Sequence, residues 1–117
     1  MSLSIAVPTV AIALFGDEVS PRFCFAEKVL VVSFEDGQET WRNVVSLGEP
    51  WLPVRMSQLS AMGVSTLLCG AFNRAYLPNA ERLGIRVVTG ISGNADAAVT
   101  KFRRGLQVAQ RSRQRRG

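Results

Sequence analysis

A chain of 117 residues, 47% of them apolar and 20% charged, is enough for one domain with one buried core and too short for two. It has no histidine and only two cysteines, Cys24 and Cys69, far apart and outside any CxxC pattern, which excludes His-based acid–base catalysis, a Ser-His-Asp triad and zinc-finger spacing. The formal charge of +5 is uneven: residues 101–117 carry Lys101, Arg103, Arg104, Arg111, Arg113, Arg115 and Arg116 with no acid, whereas residues 1–100 hold seven basic and nine acidic residues.

The apolar run from Ile5 to Phe15 is broken at Pro8-Thr9 and has no basic residue before it. It falls short of the ~20 residues a membrane span needs, so the reading is a soluble, cytoplasmic chain with no membrane partner. "SIAVPT" reads as a first strand stopped by Pro8. "VAIALF" (10–15) alternates large residues with alanine and reads as an extended segment with one apolar face, either paired in the sheet or covering a partner. A long loop follows, containing "DEVSPRFCF", in which Ser20-Pro21 fixes a turn and Phe23 and Phe25 flank Cys24 beside Arg22. Both rings read as core plugs.

"KVLVVSFEDGQETWRNVVSL" predicts two antiparallel strands, 28–35 and 39–47, around the hairpin signal Asp36-Gly37. A helix begins near Pro53 and ends before Gly63, with Met56, Leu59 and Met62 on one face. "STLLCG" is a buried strand. "AFNRAYLPNAERLG" is a helix with Asn73 as N-cap, an irregular first turn at Pro78 and Gly84 at its end. "IRVVTG" is a further strand. The last helix is capped by Asn94, turns Ala98, Val99 and Phe102 inward, and stops at Gly105 with Leu106 folded back. Residues 1–106 form the domain; 107–117 form a basic, disordered tail with weak affinity for polyanions.

This order implies an α/β fold with three α/β/α layers and a mixed five-stranded sheet, its strand–helix–strand unit parallel and right-handed. With the first strand central, the chain switches direction between it and the "STLLCG" strand, and ligands of open α/β sheets gather at such a point. Cys69-Gly70 ends there, and the loop with Cys24 leaves from the same rim. The loop is therefore expected to wall a pocket in which the two cysteines approach one another.

"IAVPT", "VSPRF", "VLVVSFEDG", "GVSTLLCGAFNRA", "LGIRVVTGISGN" and "KFRRGL" together resemble the dinitrogenase iron–molybdenum cofactor biosynthesis family, from about residue 5 to 106. The resemblance implies a ribonuclease-H-like motif with strand order 3-2-1-4-5 and strand 2 antiparallel. It implies a non-enzymatic role: binding, carrying or protecting an iron–sulfur or iron–molybdenum-type cluster on its way from a donor protein to a recipient enzyme. The residues expected to bind the cluster are Ser20, Arg22, Cys24, Cys69, Gly70, Asn73 and Arg74, with Cys24 and Cys69 as metal ligands. Thiolates hold such clusters, and a net-negative cluster is favoured by guanidinium groups, strand-end amides and helix N-termini. Two thiolates suit a transient carrier, or a homodimer pooling its cysteines.

A metal-dependent nuclease is rejected, because the first strand has no acid and Glu35, Asp36 and Glu39 lie at the hairpin turn. An anion site at "GISGN" lacks the P-loop pattern. The rival reading is a non-catalytic interaction module that oligomerises through residues 10–15 and holds no metal.

Overall fold

The computed structural model describes residues 8–48 and 50–116, with 108–116 by their backbone alone. Six strands form one mixed sheet: β1 (Thr9–Phe15), β2 (Glu18–Val19), β3 (Lys28–Glu35), β4 (Gln38–Ser46), β5 (Thr66–Leu68) and β6 (Arg86–Val88). The helices are α1 (Leu52–Ala61), α2 (Leu77–Arg82) and α3 (Ala95–Arg116), with 3-10 turns at Phe23–Phe25 and Arg74–Tyr76. The strands run in the order β4-β3-β1-β5-β6, and β2 pairs with β1 off this path. β1 is antiparallel to β3 and parallel to β5, and β6 is parallel to β5.

The sheet thus departs in strand count from the five-stranded expectation, and its first strand is displaced along the chain. Residues 4–7 of "SIAVPT" lie outside the described residues. Pro8 precedes β1 instead of stopping it, a position at the strand start that tolerates proline, and its carbonyl accepts from Phe34 N at 2.9 Å.

"VAIALF" is β1 itself. Val10, Ala11, Ile12 and Ala13 are all fully buried, because a central strand is covered on both faces. Ala11 and Ala13 face a core shared with Met56 and Leu59 of α1 and Ala80 of α2; Val10 and Ile12 face one shared with Ala95, Ala98 and Val99 of α3. These two cores make the fold three layers. They also bury residues 10–13 of the 10–15 segment that the rival reading uses for oligomerisation, leaving Phe15 exposed.

The hairpin turns as its sequence predicts. Asp36 (φ 54°) and Gly37 (φ 76°) both adopt the left-handed region that a two-residue turn between twisted strands requires. Pro53 sits in the first turn of α1. Pro78 lies in the first turn of α2, where its missing N–H costs nothing, and the preceding irregularity is a separate 3-10 turn. α3 does not stop at Gly105. Leu106 packs against the sheet, Gln107 Nε2 donates to Gly37 O at 3.1 Å, and the segment expected to be a disordered tail continues the helix to Arg116. No helix among the described residues is long and apolar enough to cross a membrane.

Candidate functional site

The segment after β1 is bound along most of its length. Gly16 (φ 64°) turns the chain into β2, Val19 N donates to Gly93 O at 2.9 Å, and Ser20 N donates to Ala13 O at 2.7 Å. Residues 20–23 then lie alongside the end of β5. Gly70 N donates to Ser20 O, Ala71 N to Pro21 O, and Phe23 N to Ala71 O, at 3.0, 2.7 and 3.0 Å. This approach requires glycine at position 70, since a Cβ there would lie 2.8 Å from the carbonyl carbon and Cα of Pro21. The Ser20 hydroxyl, fully buried, closes the turn by donating to Arg22 O at 2.8 Å.

The Phe23–Phe25 turn is fastened from below. Phe23 is fully buried and stacks on Phe72 with ring centroids 5.9 Å apart. Arg55, itself 4% exposed, donates from Nη1 to the carbonyls of Phe23 and Ala26 and lies 5.7 Å from the Phe23 ring centroid. The buried cation neutralises the carbonyl end of the turn. Arg55 was absent from the sequence-derived site. Its signal was available: Leu52, Arg55, Met56 and Leu59 follow the i, i+3, i+4, i+7 stripe that faces the core, with a charge in an apolar position.

On this base Cys24 and Phe25 point outward. Cys24 is exposed, and Phe25, expected to plug the core, is 68% exposed. The Arg22 guanidinium lies over the Phe25 ring, 5.8 Å from its centroid. Arg22, Cys24 and Asn73 line a cleft of about 340 Å³ with Phe23, Leu52, Ala71 and Phe72. The expected residues that meet are therefore Arg22, Cys24 and Asn73.

The remaining expected residues do not join them as donors. Cys69 is fully buried among Ala11, Phe23 and Leu67, its thiol donating weakly to Val88 O at 4.0 Å, and burial pushes its pKa up to about 12. It is a core residue, and the two cysteines do not share a cavity. The Gly70 amide is taken by Ser20, and the Asn73 side chain accepts from Ala75 N, capping the short turn in which exposed Arg74 sits outside the cleft lining. At the start of α3, Ala95 N donates to Asp17 O and Ala97 N to Asn94 Oδ1. These backbone donors, expected to greet an anion, are thus already used, Gly70 and Ala95 by the loop and Ala75 and Ala97 by the Asn73 and Asn94 caps. No group of three or more Cys, Asp or Glu side chains able to hold a metal ion occurs among the described residues.

A three-layer mixed α/β domain with a loop-walled cleft at the end of its central parallel pair is the class this geometry defines. Solved structures share the fold. The protein PH0822 superimposes with a TM-score of 0.75 at 24% identity, covering 83% of this chain and 90% of its own. A "putative dinitrogenase" from Methanocaldococcus jannaschii gives 0.67 at 18% identity, covering 86% and 91%. An NMR structure of a "putative NifB protein" from Thermotoga, assigned there to the DUF35 family, gives 0.66 at 22%, covering 85% and 90%. No protein-family profile matches the chain, and no curated protein does.

Proposed function

We propose that the protein carries an anionic iron–sulfur-based metallocluster as transient cargo, attached through the single thiolate of Cys24 in the cleft beside Arg22. The observation that carries this reading is the placement of an exposed cysteine on a turn fastened by buried Arg55, next to a guanidinium and at the mouth of a cleft. One thiolate is too few to retain a cluster permanently, since such clusters ordinarily take four protein thiolates. It suits handover, in which donor and recipient proteins supply the other ligands. In this reading the chain performs no catalysis, and Arg22 supplies charge while Phe72 and Leu52 limit water on one side of the cargo. The names of the dinitrogenase and NifB structural neighbours agree with a nitrogenase-related cargo.

Anaerobic reconstitution with iron and sulfide tests it. Wild type and Cys69→Ala develop sulfide-to-iron charge-transfer absorption, and Cys24→Ser does not. Equal uptake by Cys24→Ser would overturn the proposal. A second reading, a metal-free interaction module, is favoured by the 69% and 68% exposure of Phe15 and Phe25, which line a neighbouring cleft together. It predicts that Phe15→Ser weakens partner binding while Cys24→Ser does not.

A further inference from the structure

A single helix covers the α3 side of the sheet, and it leaves a groove of about 430 Å³ between β5, β6 and residues 98–106 of the helix. Five apolar residues pack only partly into that core, and four of them, Val88, Ile91, Phe102 and Leu106, line this groove. Their half-buried state is thus concentrated in one place. The volume falls in the range of small-molecule sites, roughly 300–1,000 Å³.

Two cations stand over these apolar walls. Thr66 pairs with Arg86 and Leu68 with Val88, so Arg86, two residues before Val88, projects from the same face of the sheet. Lys101 follows Ala98 by three positions on α3 and faces the groove from the other side. Neither forms an ion pair with another described residue, and no carboxylate lines the groove. Gly105, four positions after Lys101 on the same helix, also lines the groove, and a Cβ at that position would meet nothing within 4 Å. A glycine inside a helix is unfavourable relative to alanine, because it has more backbone freedom to lose. Here it widens the groove at the end where a long side chain would close it.

We propose that this groove binds an amphiphilic monocarboxylate, an apolar chain held against Val88, Phe102 and Leu106 with its head group between Arg86 and Lys101. The site is separate from the Cys24 cleft and does not rest on the metallocluster reading. Calorimetric titration of the full chain with decanoate, below its micellar concentration, and with decanol tests it. Decanoate binds at least tenfold more tightly than decanol, and Arg86→Met with Lys101→Met brings decanoate down to the decanol level. Gly105→Leu abolishes decanoate binding without lowering the thermal midpoint, since leucine fills open space and is the better helix former. Absence of decanoate binding, equal affinity for decanol, or binding undiminished in Gly105→Leu would overturn the proposal. The double methionine variant gives an independent answer should Gly105→Leu fold poorly.

Discussion

Arg55 donates to the carbonyl of Phe23 at 3.0 Å from beneath the same residue's ring. Through this contact a residue of α1 sets the position of a turn 32 positions earlier in the chain, and with it the direction in which Cys24 points. Removing the guanidinium leaves two buried carbonyls without this donor. Arg55→Met is predicted to destabilise the fold by about 2–3 kcal/mol, the range for losing a charged hydrogen-bond donor at buried acceptors. Chemical denaturation measures the loss. Amide exchange should accelerate most in residues 20–27. Unchanged stability would mean that Arg55 is incidental to the turn.

Gly70 and Pro21 make the second fastening. Gly70→Ala forces a Cβ against the Pro21 backbone, which cannot give way as a flexible side chain would. Overpacking of this kind costs about 1–3 kcal/mol. The predicted result is a lower denaturation midpoint together with faster proteolysis within residues 17–27. A variant as stable as wild type would show that the loop can slide away freely.

Cys69 gives a pH dependence. Its thiol is pushed from 9.0 to about 12 by burial, so the folded protein holds a proton that the unfolded chain releases at lower pH. The Cys69 contribution is fully present below pH 9.0 and is lost progressively as pH rises toward about 12. Denaturation midpoints should therefore fall more steeply over that window in wild type than in Cys69→Ala. Parallel pH profiles for the two proteins would contradict the assignment.

The end of α3 carries Arg111, Arg113, Arg115 and Arg116 without a compensating acid. Truncation after Gln107 keeps its bond to Gly37 and is predicted to change stability by no more than about 0.5 kcal/mol. Affinity for heparin or a single-stranded oligonucleotide should drop, and its dependence on log salt should become shallower by up to about 3. A truncated chain that unfolds would show that the helix end supports the domain.

The elements whose signals are local were legible. Asp36-Gly37, Pro53 and Asn94 each act within a few residues and occupy the turn, first helical turn and cap their chemistry predicts, while Asn73 caps the 3-10 turn ahead of α2 instead of α2 itself. The frame of β1 was not, because Pro8 can either end or precede a strand and the apolar residues on its two sides read alike. Gly105 misled for a related reason: as a helix stop it is outweighed by the packing of Leu106 and the bond from Gln107, neither visible in a window of local sequence. At the site, Arg22, Cys24 and Asn73 line one cleft because the loop returns to the end of β5. Cys69 was misplaced because strand parity turns it toward α1, on the side of Leu67 and Phe23. Ser20 and Gly70 were found for their position, yet their polar groups serve the loop itself.

Alkylation of the cluster-loaded protein tests the central claim most directly. Iodoacetamide followed by peptide mass mapping should modify Cys24 readily in the metal-free protein, spare it once the cluster is bound, and leave Cys69 unmodified in both states. Cys24 alkylated at the same rate with and without the cluster, while the cluster stays on the protein, would contradict attachment through its thiolate.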